Sequence, residues 1–226
     1  MERTEGAGTD VLSSPEGGRR VSADLVSLLK LLMHIESLEP ADLRKFGPSI
    51  AELRKDERKA MRTFIRGLVL SPNEFVRAKA IDLISELGPH SDSRAIRLGM
   101  KDESWYVRCS AIEAAVICYP KTALRELPPM LADGHFVVRR VAALGLYDLE
   151  GAKIAPLIQE YLRRESHPNA KAGMLGVLIR CGDSFALEEI RTMLESNPSN
   201  VQELIVDILE EAMPKYLSAR ADLSQS

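Results

Sequence analysis

Four bases recur along the chain at a nearly constant spacing: Arg77, Arg108, Arg139 and Lys171. Guanidinium groups at regular intervals have two chemical uses. They bind phosphates, or they pair with carboxylates through fork-like double hydrogen bonds. Acids recur with the same period, at Asp102, Asp133 and Glu165. A ladder of bases beside a ladder of acids favours pairing between neighbouring units over a phosphate stripe.

The other reactive residue types point to less chemistry. Cys109, Cys118 and Cys181 form no CxxC pair and lie in apolar stretches, which reads as buried reduced thiols. His135 and His167 occupy equivalent places without further ligands in register, so capping or loop packing outweighs metal binding. Phe75, Trp105, Tyr106 and Phe136 gather near the starts of successive helices and read as core along one edge, with Trp105 a candidate anchor for a partner. No nucleophile stands beside a base, and no Gly-rich phosphate loop is present. These residues point to no catalytic group, no cofactor and no metal, which favours a non-enzymatic chain and leaves the question of an enzyme open.

The elements that position the ladder emerge from an internal repeat. The segments EFVRAKAIDL, WYVRCSAIEA, FVVRRVAALG, PNAKAGMLGV and SNVQELIVDI align on Val76, Val107, Val138, Ala170 and Val201, with spacings of 31, 31, 32 and 31 residues. Three copies carry Val-Arg-x-x-Ala, and an acid lies five residues before the anchor at Asp102, Asp133 and Glu165. Each copy reads as a helix beginning at the anchor, with Asn73, Ser104, His135 and His167 at the N-cap positions. Gly88, Pro120 and Gly182 break the chain, and a shorter helix then opens the next unit. Pro128-Pro129 should shorten or kink one of these first helices. A single hairpin cannot bury its apolar face, so the units must stack.

Upstream, residues 1–20 hold little to bury and read as a disordered tail. Helical spacing begins near Ser22, a candidate N-cap, and a short helix is expected around Ala41–Phe46. The expected organisation is a tail (1–20), a helical cap (21–55), a repeat domain (56–214) and a C-terminal tail (215–226). Composition agrees with an all-α chain: 45% of its 226 residues are hydrophobic but only 5% aromatic. The N-terminus lacks the basic start and apolar block of a signal peptide, and a cytoplasmic location is the default expectation.

The acid and Val-Arg-x-x-Ala pattern resembles HEAT repeats, more narrowly the short HEAT-like repeats also found in phycobilisome lyase subunits. The resemblance spans roughly Asp56 to Pro214. It implies a right-handed α-solenoid of about five hairpins, and a scaffold that binds other proteins along a concave face. It also implies two alternatives: a nucleic-acid-binding or glycosylase-like repair protein, and a lyase-like subunit handling a bilin. HEAT-type iron hydroxylases carry His-Glu dipeptides, which this chain lacks.

On 100° geometry, positions two, six and nine after each anchor point away from a core centred on the anchor. In a HEAT-like stack they would line the concave face. The middle and final copies place Arg140, Leu144, Tyr147, Gly176, Ile179, Glu203, Asp207 and Glu210 there. The expected partner is an amphipathic helix or peptide. Its apolar ridge would meet Leu144, Tyr147, Gly176 and Ile179, and its basic end would meet the acids of the last copy.

The net charge of −3 is strongly polarised. Residues 41–80 hold ten Lys/Arg against five Asp/Glu, a net of +5, whereas 181–226 hold three against nine, a net of −6. An acidic end would repel a duplex laid along the whole stack, so nucleic acid is an unfavoured partner. The opposed ends admit self-association.

Overall fold

The computed structural model describes residues 23–32, 34–37, 48–50, 52–88, 92–196 and 198–224. The tail over 1–20, Ser22, the short helix over 41–46 and His90 lie outside them. Among the described residues the chain is all-helical, with no strand. The helices are α1 (Ala23–Leu32), α2 (Lys55–Leu68), α3 (Glu74–Glu86), α4 (Ser93–Gly99), α5 (Trp105–Cys118), α6 (Pro120–Glu126), α7 (Phe136–Glu150), α8 (Ala155–Leu162), α9 (Pro168–Arg180), α10 (Ser184–Ser196) and α11 (Ser199–Ser224). Short 3-10 turns cover Ile35–Ser37, Pro128–Ala132 and Gly151–Ile154.

Each of the five aligned segments forms one helix, α3, α5, α7, α9 and α11, and these pack on one another in chain order. The intervening helices α2, α4, α6, α8 and α10 pair with them as hairpins. Asn73, Ser104, His135 and His167 stand at the four N-cap positions. The Asn73 side chain accepts from the Phe75 N–H, and the His167 ring accepts from the Asn169 N–H. Gly88 and Gly182, twelve residues after their anchors, turn the chain at φ of 86° and 88°, a region that favours glycine. Pro128 has no N–H for a continued helix, so α6 stops at Glu126 and the chain proceeds as a 3-10 turn.

At the C-terminus the structure departs from the expected boundary. Helix α11 continues through Pro214 to Ser224, so residues 215–224 extend the last helix. At the N-terminus the 3-10 turn Ile35–Ser37 lies on α3, where Lys79 Nζ donates to the Ile35 carbonyl at 3.0 Å. No described helix is long and apolar enough to cross a membrane.

The core runs without a break from Leu28, Leu32 and Ile35 through the inner helices to Val201, Ile205 and Ala212. Its lining is mostly Ala, Val, Leu and Ile, which lets the helices approach closely.

Candidate functional site

The ladder is built from matched forks. Arg77 Nε and Nη2 donate to the two Asp102 carboxylate oxygens at 2.8 and 2.7 Å. Arg108 meets Asp133 at 2.9 and 2.8 Å, and Arg139 meets Glu165 at 2.6 and 2.8 Å. The third nitrogen of each arginine donates to carbonyls of the turn before its own helix. For Arg77 these are Ser71 and Pro72, for Arg108 Asp102 and Glu103, and for Arg139 Asp133. The acids in turn accept the N–H of Ser104, His135 and His167. Each rung thus ties one inner helix to the turn that opens the next.

Burial alone would raise the Asp102 and Glu165 carboxyls. The arginine fork and the N–H bonds outweigh it and hold both below the usual carboxylate range. The ladder weakens at its ends. Ser71 stands where the first copy would carry an acid, and its hydroxyl accepts the Asn73 N–H instead. Lys171 finds no acid five residues before Val201 and pairs with Glu189 of α10 at 2.6 Å. With all three forks internally satisfied, the ladder offers no phosphate stripe.

Packing between inner helices revises the expected binding face. A Cβ on Gly145, seven residues after its anchor, would meet Val116 and Ile112, nine and five after theirs, at 3.0 and 3.4 Å. A Cβ on Gly173 would overlap the Arg140 stem, and one on Gly176 would overlap Ile208. Positions two, five and nine therefore face the next inner helix, and position six lies at the margin between that helix and the open side. Ile179 is 0% exposed and belongs to the core, and Gly176 is buried beneath Ile208. Neither can receive a partner's ridge as expected. Among the described residues α5, α7 and α9 are each covered on three sides (previous helix, next helix and paired outer helix), so the open side is not opposite the anchor.

The open side carries positions three, six and ten. A cavity of about 330 Å³ lies on it across α5, α7, α9 and α11. Arg140, Leu144, Gly176 and Asp207 line it, as do Gly173, Arg180, Leu204 and Glu211. Tyr147, Glu203 and Glu210 lie outside the lining. Tyr147 is half-buried, with Lys215 Nζ 5.0 Å from its ring centre. Glu203 and Glu210 are exposed on α11.

At the base of this groove the Arg140 stem and Ile208 fill the space that side chains on Gly173 and Gly176 would take. Leu144, 36% exposed, stands on one wall, and Leu204 and Ile208 form the other. Arg180 is engaged by Glu211 at 2.6 Å. Arg140 rests its stem on Gly173 and forms no hydrogen bond or ion pair with the described residues.

Toward the N-terminal half the same open side carries Asp82, Glu86 and Glu113. Burial pushes the Asp82 carboxyl up to about 6, an effect partly offset by the Ser110 hydroxyl of the next helix. Burial raises Glu113 as well. Positions three, six and ten thus supply Asp82, Glu86, Glu113, Asp148, Asp207 and Glu211 against Lys79 and Arg180, and Arg140 adds a third base to the cavity lining. The open side is acidic on balance, with its apolar surface in the middle.

The aromatic edge forms a continuous stack. Trp105 lies on His135 with ring centres 4.5 Å apart, His135 on Phe136 at 4.9 Å, and Phe136 on His167 at 3.8 Å. Trp105 and Phe75 remain exposed. The two histidines thus act within a packed edge, and no group of three metal-ligating side chains exists among the described residues. Cys109 and Cys118 are buried, Cys181 is half-buried, and all three are free thiols. Burial pushes Cys109 up to about 12 and Cys181 up to about 11, which leaves both thiols protonated and inert at neutral pH.

Sequence reasoning missed Arg180, Leu204 and Glu211. The signal that could have found them is the spacing three, six, ten, which places Leu204 three residues, and Arg180 and Glu211 ten residues, after their anchors. No protein-family model matches the chain, and no curated protein matches its sequence.

Proposed function

We propose that the chain is a HEAT-like α-solenoid of five hairpins in a right-handed superhelix, acting as a non-enzymatic adaptor. The partner is a protein segment, an amphipathic helix with Lys or Arg beside its apolar ridge. The groove between Leu144 and Leu204 carries this reading: an apolar trench whose base packs the Arg140 stem and Ile208 onto two buried glycines, set in a face where acids outnumber bases. Apolar contact supplies the affinity and the carboxylates select a basic segment and its direction. Arg140 gives the trench one cation for an acid on the same segment.

The nucleic-acid and bilin alternatives find less support. The acidic open side would repel a phosphate backbone, and the bilin reading rests on repeat resemblance alone. The decisive test compares wild-type protein with Leu144→Asp as bait in the source cell. Adaptor function requires a protein captured by wild type and lost from a folded Leu144→Asp. Equal capture by both baits would reject the groove.

A further inference from the structure

We propose that copies of this chain associate head to tail, the acidic outer face of α11 docking on the basic outer face of α2 of a neighbouring copy. Glu203 and Glu210 lie outside the groove, while Asp207 between them lines its edge, so the docking face adjoins the groove without coinciding with it.

Among the described residues, α11 lacks a neighbour that α5, α7 and α9 have. In those three helices positions two, five and nine are covered by the next inner helix, and position six lies at its margin. In α11 the same positions are Glu203, Val206, Asp207 and Glu210, and no described helix covers them. Val206 is 44% exposed, and all three acids are exposed. None of these acids forms a hydrogen bond or ion pair with the described residues. Among the described residues this face of α11 is thus an open packing surface, its apolar centre ringed by carboxylates.

The opposite end carries the complementary charge. Lys55, Lys59 and Arg62 project from one face of α2 and line a cavity of about 600 Å³ together with Ile50 and Leu87. All three are exposed and form no ion pair with the described residues. Arg66, on the same face, is already engaged by Asp92.

The two stripes match in spacing as well as sign. Glu203, Asp207 and Glu210 fall at i, i+4 and i+7, and so do Lys55, Lys59 and Arg62. At 1.5 Å per residue each stripe is about 10 Å long and spans about 60° of its helix. Two helices laid side by side can therefore bring three pairs into register, with Val206 directed at the α2 cavity. Exposed pairs are individually weak, so the association is modest and salt-sensitive. The two surfaces differ, so the contact is heterologous and propagates as an open series instead of closing as a dimer.

Sedimentation equilibrium of the full chain at about 50 mM and about 500 mM NaCl reads this directly. The expected result is concentration-dependent growth beyond a dimer at low salt, with the association constant at least about tenfold weaker at high salt. Two folded variants, Lys55→Glu/Lys59→Glu/Arg62→Glu and Glu203→Lys/Glu210→Lys, should each be monomeric alone. Their equimolar mixture should associate, because the native α11 of the first meets the native α2 of the second. A wild type monomeric at low salt, or variants that associate alone, would overturn the proposal. So would a mixture that stays monomeric. Loss of duplex DNA binding in the α2 variant, with no self-association of wild type, would assign the basic face to a polyanion instead.

Discussion

Arg108 donates through Nη1 to the backbone carbonyl of Asp102 at 2.8 Å, while the carboxylate of that same Asp102 holds Arg77. One residue thus joins two consecutive rungs, by its side chain to the arginine before and by its backbone to the arginine after. The rungs interlock instead of merely repeating. This explains why the base, the acid and their spacing recur together.

Removing a central rung should therefore cost more than an ordinary surface pair. Arg108→Ala strands the Asp133 carboxylate and the Asp102 and Glu103 carbonyls, and should lower stability by about 2–4 kcal/mol. Lys171→Ala breaks a single contact between more exposed groups and should cost less than about 1 kcal/mol. Urea unfolding of the two variants measures the contrast.

The two buried glycines make a second test. Gly176→Ala forces a methyl against Ile208, a branched side chain on a packed helix, and should destabilise by about 1–3 kcal/mol. Gly173→Ala meets the root of the Arg140 side chain, which cannot swing aside as a chain tip would, and should destabilise by about 1–2 kcal/mol after the better helix propensity of alanine is counted. Thermal unfolding of both variants checks this, and a variant as stable as wild type would contradict it.

Asp82 yields a pH prediction with a definite sign. Its folded carboxyl titrates at about 6, above the value of 3.8 for an unperturbed aspartate. The folded state binds the extra proton, so this group lowers stability as pH rises between those values. Asp82→Asn should stabilise the protein by about 1–2 kcal/mol near pH 7.5, and the gain should vanish by about pH 4. Asp102 and Glu165 act oppositely, withdrawing stability as pH falls. Denaturant midpoints across pH, compared between wild type and Asp82→Asn, isolate the Asp82 contribution.

The aromatic stack offers an optical check. Burial and then the Arg108 charge hold His135 below the ordinary histidine value, and its ring lies against the only tryptophan. Protonation of His135 places a cation on the indole and should quench Trp105 emission, with a midpoint below pH 6.5. His135→Phe keeps the stack and should abolish that transition. Fluorescence titration of both proteins tests this.

Much of this organisation is legible in the amino-acid sequence. The period, the anchor residues and the N-cap positions follow from spacing and residue type, because helix starts and apolar stripes are local properties. The open face is less legible. The stripe of Ile179 and Gly176 reads as solvent-facing when the core is centred on the anchor. Whether position six or position nine meets the next helix depends on how neighbours rotate against one another, and that depends on close contacts such as Gly145 against Val116. Pro214 misleads for a related reason: proline marks a helix end only when packing does not carry the helix past it.

The adaptor account stands or falls on what touches Leu144 in the cell. A photo-crosslinking amino acid placed at position 144, with one at the exposed Leu98 as control, answers this directly. The account predicts one discrete adduct from position 144, joined to a helical segment bearing Lys or Arg beside an apolar ridge, and none of that adduct from position 98. Absence of an adduct at position 144, or the same products from both positions, would contradict it.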